Sequence, residues 1–403
     1  MIDDAQYAPT APQPAATRDG VPLAPLAGGF LPPYTERLHL LADLPAPTPE
    51  AITAAIAMAA GDAVSQKASD RSETSTDDPD NAGSDDSSMT GAPSDGRTAA
   101  ALEATRAMDA WSAPFGDPED THSTVEDRRI EGPHGPIPLR IYRPEPGWTA
   151  PAPSPADDGR RAGLVWYHGG AFVAGDLDMP EADAVARGIV TRTGTTVVSV
   201  FYRLCNDGAT HHPVPHDDAC AAFRWTSAHA AGLGVDPARL AVGGASAGGC
   251  LAAGVALRGR DDGAVPWQAL LAYPVLHAEH WPAPSEELAD RLEEMPQVLR
   301  FPADVMAALN TNLLGGPVRD VPAHAFPGEA ADLVGYPPTY IENCENDDLR
   351  ASGEAFARRL AAAGADVECV TCAGVPHGHL NAVGSPLTAR SLDRFAARLA
   401  RAR

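Results

Sequence analysis

The sequence predicts an α/β protein with a mostly parallel central sheet flanked by helices. Three observations carry that expectation. From residue 163 onward, short apolar runs recur, each followed by a stretch of helical periodicity. The runs are continuously apolar rather than alternating, as strands covered on both faces must be. Hydrophobic residues make up 44% of the 403-residue chain, enough to fill a large core.

The elements follow in order. Residues 1–30, rich in Pro, Ala and Gly, read as a loose arm. Two helical patterns come next, Tyr34–Ala42 and Thr48–Ala60, the second with Thr48 as N-cap and Pro49 at the first helical position. Residues 61–97 are mostly Ser, Asp, Gly and Thr and bury too little apolar surface to offset their ordering entropy, so they read as a disordered acidic insertion. A helix at Ala99–Trp111 closes this region, leaving 31–60 and 98–115 as helical segments outside a main domain of 116–403. That domain opens with a hairpin: Ile130-Glu131, a turn at Gly132–Gly135, and a strand at Ile137–Tyr142. Strands then read at Gly163–Tyr167, Thr195–Phe201, Leu240–Val242, Ala269–Tyr273, Thr339–Ile341 and Val367–Val370. Helices read at Glu181–Thr193, Asp217–Ala231, Ala247–Gly259, Ala351–Gly364 and Thr388–Ala402. Ala278–Gly335 breaks the rhythm with several prolines and one helix near Asp304–Leu314, as an insertion packed over the sheet edge would.

Charge and composition exclude several functions. A formal charge of −24 repels nucleic acid phosphates and anionic lipid heads. No run approaches the roughly 18 apolar residues of a membrane span. Met1-Ile2-Asp3-Asp4 carries acid where a secretory or mitochondrial signal carries base, so a cytoplasmic address is expected. Six cysteines in a chain this long do not make a disulfide framework. Cys369 and Cys372 form C-x-x-C on an alternating, strand-like run; they should face opposite sides and be ordinary buried thiols.

Gly244-Ala-Ser-Ala-Gly248 matches G-x-S-x-G. The pentapeptide alone is a weak signal, but an apolar strand leads in and an alanine-rich helix, Cys250–Leu257, leads out. Strand, tight glycine turn and helix make a nucleophile elbow that exposes Ser246. His168-Gly169-Gly170-Ala171 directly follows another strand, and its small residues let backbone N–H groups converge on a developing oxyanion, with the N–H of Ala247 completing the set. A serine needs a base, and the base an orienting acid. Past the strand Thr339–Ile341 lie Asp347 and its neighbour Asp348; past the strand ending at Val370 lie His377 and its neighbour His379. Chain order serine, acid, histidine suits Asp347 as acid and His377 as base. His211, His212, His216 and Asp217 suggest a metal cluster but have no zinc spacing, so they read as solvated loop residues. No phosphate-binding loop of G-x-x-x-x-G-K type is present.

These residues together resemble the hormone-sensitive lipase family of α/β hydrolases, a group of carboxylesterases and lipases, over about residues 125–400. His168-Gly-Gly-Ala-Phe172 is similar to its H-G-G-[GA]-F oxyanion signature, and Arg129–Pro144 to its opening hairpin; Gly175–Asp178 and Tyr202–Leu204 resemble recurring segments. Asp347-Asp-Leu-Arg350 is similar to its D-P-L-R acid segment, which places the acid on Asp347; Gly374-Val-Pro-His377-Gly378 is similar to G-x-x-H-G, which places the base on His377. The resemblance implies an α/β-hydrolase fold with a helical cap built from the N-terminus and from residues 278–335. It also implies oxyanion donors at Gly170, Ala171 and Ala247, with Gly169 shaping the turn. The chain departs from the family at Ala245, where Asp or Thr is common, at Cys205-Asn-Asp207 in place of Ala-Pro-Glu, and at His379 in place of Phe, all bordering the expected pocket.

The expectation is hydrolysis of a small-molecule ester through an acyl-enzyme, with short- or medium-chain acyl groups and no metal or organic cofactor. The same machinery acting on an amide, and a non-catalytic ligand receptor on a hydrolase scaffold, are the alternatives; a homodimer is compatible with the chain but nothing specifies one.

Overall fold

The computed structural model describes residues 29–57, 96–151 and 160–401, together with a two-residue antiparallel pair, β1 (Thr17–Arg18) and β2 (Val21–Pro22). The expected loose arm at 1–30 and the expected disordered insertion at 61–97 fall largely outside those residues. The N-terminal region contains α1 (49–57) and α2 (Gly96–Ser112). Thr48 Oγ1 accepts the N–H of Ala51 at 3.2 Å, the N-cap that the sequence predicts. Tyr34–Ala42 is not one α-helix but two 3-10 turns, Tyr34–Glu36 and Leu38–Leu41. Pro33, at the start of this segment, offers no side-chain cap. The segment is held instead by rings: Tyr34 meets Phe115 at 5.0 Å and Trp111 at 5.7 Å between centroids.

The main domain runs β3 (Ser123–Ile130), β4 (Ile137–Pro144), β5 (Arg161–Tyr167), α3 (Asp183–Thr193), β6 (Thr196–Val200), α4 (Val214–Ala228), β7 (Val235–Ala245), α5 (Ala247–Asp262) and β8 (Ala269–Ala272). After the insertion come β9 (Thr339–Asn346), α8 (Arg350–Ala362), β10 (Val367–Pro376) and α9 (Pro386–Leu399). The insertion carries two helices, α6 (Glu286–Glu294) and α7 (Ala303–Leu314), where the sequence suggested one. Ser285 caps α6 by accepting the N–H of Leu288, and only Leu288 and Leu292 of that helix are buried. Its apolar signal is therefore two residues spaced by four, easily lost among acids.

The eight strands lie in the order β10-β9-β8-β7-β5-β6-β4-β3. Every pairing from β10 to β6 is parallel, whereas β6 with β4 and β4 with β3 are antiparallel. Alternation along β5 shows why its run is wholly apolar: Leu164 and Trp166 enter one core with Ile189 of α3 and Phe395 of α9, while Val165 and Tyr167 enter the other with Leu251 of α5 and Phe356 of α8. Cys369 and Cys372 on β10 divide between the same two cores, opposite faces as expected; Cys372 is buried and Cys369 half-buried. No helix among the described residues is long and apolar enough to cross a membrane.

Candidate active site

The site forms where β5, β7, β9 and β10 end on one edge of the sheet. β7 stops at Ala245 and α5 starts at Ala247, so Ser246 alone makes the reversal, with φ 53° and ψ −117°. A non-glycine residue held there is strained, and the surroundings must over-determine it. Close packing at the flanking glycines does so. A Cβ on Gly244 would lie 2.3 Å from the carbonyl oxygen of Gly248, and one on Gly248 only 2.0 Å from that of Tyr167. The N–H of Ser246 donates to the carbonyl of Ala272 at 2.9 Å, tying the elbow to β8.

His377 reaches the serine from the turn after β10: its Nε2 accepts from Ser246 Oγ at 2.9 Å. Its Nδ1–H donates to Asp347 Oδ2 at 2.7 Å, and the other carboxylate oxygen of Asp347 accepts the N–H of Leu349 at 2.9 Å. Burial pushes the His377 pKa down, but the Asp347 charge and hydrogen bond, with Glu181 and Asp348 nearby, outweigh burial and hold it above the ordinary histidine value. The two neighbours sit elsewhere. Asp348 pairs with Arg300. His379 does not border the pocket as expected: it is buried, with Nε2 2.9 Å from Ser391 Oγ of α9.

After β5 the chain runs Gly169, Gly170, Ala171, Phe172, and the last three have φ of 110°, 53° and 64°. Successive residues in this region form a concave row of N–H groups. Among the described residues, none accepts a hydrogen bond from the N–H of Gly170, Ala171 or Ala247. The N–H of Gly169 is engaged, donating to Glu181 Oε1 at 2.6 Å, so Gly169 anchors the loop and offers no donor. Tyr202 holds it from the other side, its hydroxyl donating to the carbonyl of His168 at 2.9 Å.

Sequence reasoning missed Glu181 and Tyr273. Glu181 is buried and its second oxygen accepts the Tyr273 hydroxyl at 2.6 Å; Tyr273 in turn packs edge-on against His377, with centroids 4.9 Å apart. Burial raises the Glu181 pKa, and the Tyr273 and Gly169 hydrogen bonds oppose that rise. Neither residue stands in a motif; only the fold brings them beside the histidine.

The cluster at 211–217 is not a solvated loop. His216 lies on α4 and is buried; its Nε2–H donates to the carbonyl of Ala325 at 3.2 Å, which leaves Nδ1 to accept from His212 Nδ1–H at 3.3 Å. Asp217 faces away to Arg258 at 2.6 Å and His134 at 2.9 Å. Helix periodicity turns 216 and 217 to different faces. One group among the described residues, Glu342, Cys372 and His379, is close enough to ligate a metal. Its donors are engaged by a guanidinium: Arg394 Nε meets Glu342 Oε2 at 2.7 Å and Arg394 Nη2 meets Cys372 Sγ at 2.7 Å.

With this geometry in hand, comparison with known proteins is informative. Residues 164–381 match a family described as alpha/beta hydrolase fold. Esterase LipI of Mycobacterium tuberculosis is 36% identical over 265 residues, covering 64% of this chain and 76% of that protein. Carboxylesterase NlhH of the same organism is 38% identical over 273 residues, covering 66% of this chain and 78% of the relative. Among solved structures, a hyperthermophilic esterase from the archaeon Pyrobaculum calidifontis superposes with a TM-score of 0.60 at 32% identity, over 70% of this chain and 86% of the other.

Proposed function

The chain belongs to the α/β-hydrolase family and is a carboxylic ester hydrolase, and we propose that it works through an acyl-enzyme formed on Ser246. The observation that carries this reading is one continuous line of hydrogen bonds, Ser246 to His377 at 2.9 Å and His377 to Asp347 at 2.7 Å, beside a row of uncommitted N–H groups.

Ser246 Oγ attacks the ester carbonyl as His377 Nε2 takes its proton. Asp347 holds the imidazole in the tautomer that presents Nε2 as acceptor and stabilises the imidazolium that follows. The carbonyl oxygen, now negative, is met by the N–H groups of Gly170, Ala171 and Ala247, donors already oriented before the charge appears. His377 then passes its proton to the leaving alcohol, and water, activated by the same base, releases the acid. Both halves use only side chains and backbone of this chain.

The helical cap is part of the proposal. Ile52 and Ile56 of α1 pack on the core that holds Phe172 and Met306, and Phe301 of the insertion touches His377. A roof of this kind suits acyl groups of short to medium length, in line with the family resemblance. A cytoplasmic setting also belongs here: all six cysteines are free thiols, the state a reducing compartment maintains. The direct test is Ser246→Ala on purified protein with a series of nitrophenyl esters of increasing acyl length. The variant should lose at least about 10⁴-fold in kcat, and the parent should show an optimum at short or medium length. Undiminished turnover by Ser246→Ala would end the proposal.

A further inference from the structure

Asp348 stands where the family's acid segment has proline, and its carboxylate does something proline cannot. Arg300 Nε donates to Oδ2 at 2.9 Å and Arg300 Nη2 to Oδ1 at 2.9 Å, a two-pronged pair. The N–H of Phe301 donates to Oδ2 as well, at 2.8 Å. The third nitrogen of Arg300 reaches the carbonyl of Leu292 at the end of α6. One carboxylate thus fixes two consecutive residues of the insertion to the segment that carries the acid. The side chains of Arg300 and Asp348 are only 18% and 10% exposed, so this pair is shielded from the solvent that weakens surface ion pairs.

The consequence falls on Phe301. Its ring stands edge-on to His377 at 4.8 Å between centroids, and Tyr273 meets the same imidazole at 4.9 Å. Tyr273 is wholly buried, whereas Phe301 is half-buried. Tyr273 therefore backs the histidine from the core, and Phe301 is the ring left open beside it. The group that leaves during acylation must lie next to His377 Nε2, because that nitrogen supplies its proton. With ring centroids 4.8 Å apart, Phe301 is close enough to His377 to reach a group bound at that nitrogen.

We propose that Phe301, held in place by the Arg300–Asp348 pair, determines which alcohol portion the enzyme accepts, favouring esters of aromatic over small aliphatic alcohols. This rests on Ser246 and His377 performing the acyl transfer. Phe301 contacts the substrate; Arg300 and Asp348 are positioning residues that act through it.

The test compares phenyl acetate with ethyl acetate, where only the alcohol differs, and phenyl acetate with phenyl butyrate, where only the acyl group differs. kcat/KM reports steps up to acylation, when the alcohol is still attached, and intrinsic reactivity cancels between parent and variant. In Phe301→Ala the phenyl-over-ethyl ratio should fall by about two- to twelvefold, the worth of one aromatic contact. Asp348→Asn and Arg300→Met should move it the same way, the acetate-over-butyrate ratio should stay within twofold, and Asp348→Asn/Phe301→Ala should match Phe301→Ala alone. Phe301→Leu keeps an apolar side chain without the ring and decides the matter should the alanine variant fail to fold. An unchanged phenyl-over-ethyl ratio in the Phe301 variants, or an equal change in acyl preference, overturns the proposal. Ser246→Ala in the same assay keeps the two readings apart. If it retains turnover, acyl transfer on Ser246 is wrong; if it is inactive while the Phe301 variants keep the parent ratio, only the alcohol assignment is wrong.

Discussion

Gly248→Ala sets two physical effects against each other with opposite signs. Gly248 is the second residue of α5, and replacing a helical glycine by alanine ordinarily stabilises by about 0.8–1 kcal/mol. Here the new methyl would lie 2.0 Å from the Tyr167 carbonyl oxygen and 2.4 Å from that of His168, whereas ordinary contact begins at 3.4 Å. The difference, 3.4 − 2.0, requires about 1.4 Å of movement, and the obstacle is backbone rather than the end of a flexible side chain. An overlap this deep against backbone belongs at the upper end of the usual overpacking cost, about 2–3 kcal/mol, so the clash should win and the variant should lose roughly 1–2 kcal/mol. Activity should suffer more than stability. Tyr167 and His168 lead directly into the loop of Gly169, Gly170 and Ala171, and displacing reacting groups by about 1 Å costs on the order of 10²-fold. The assay is kcat/KM on a nitrophenyl ester beside a thermal melt. Gly232→Ala serves as control, because nothing lies within 4 Å of a Cβ there and its backbone is not left-handed. A Gly248→Ala protein as active as the parent and at least as stable would mean that helix propensity outweighs the clash, contrary to this expectation.

Other outcomes follow from the charges. As the proposed base, His377 would work only when neutral, and its pKa is raised, chiefly by Asp347 against burial; kcat/KM should therefore fall on acidification through a midpoint above 6.5. Asp347→Asn should shift that midpoint downward and lower kcat on the order of 10³–10⁴-fold, both read from one pH–rate profile. His216 is pushed by burial and by His212 from 6.5 down to about 3. Its folded pKa is depressed, so its stabilising contribution is complete above about pH 6.5 and is lost as pH falls toward 3. The loss is on the order of 4–5 kcal/mol over that window, and urea unfolding at pH 7 and pH 5 should show it beginning; equal midpoints in His216→Phe and parent at both pH values would count against it. Arg394→Leu takes the guanidinium from the fully buried Glu342 carboxylate and leaves it the Tyr340 hydroxyl at 2.8 Å and His379 at 3.5 Å; it should destabilise by up to about 3–5 kcal/mol, measured by chemical denaturation, and a loss below about 1 kcal/mol would mean that these two partners suffice to hold the charge.

Local patterns reached different depths. Gly244–Gly248 was legible because a strained serine turn demands glycine on both sides and a strand and helix beyond them. Continuous apolar runs such as Gly163–Tyr167 betrayed a sheet covered on both faces. Tyr34–Ala42 has a helical period without being one α-helix, because periodicity does not separate an α-helix from 3-10 turns of the same length. Among the histidines at 211–216, His216 departs from a loop for a related reason: it lies in the first turn of α4, and distant segments carrying Phe172, Gly254 and Ala325 pack over it.

Chain order alone carries the strands' chemistry: a serine after one apolar run, a carboxylate after a second and an imidazole after a third, with small residues after a fourth. Those are properties of neighbouring residues, and a chain records its neighbours. What surrounds that set comes from the fold, because the Gly169–Glu181, Tyr273–Glu181 and Arg300–Asp348 contacts join residues 12, 92 and 48 positions apart. Contacts at such separations obey no local period; they exist because a parallel sheet must cross over between strands and so carries distant segments to one shared edge.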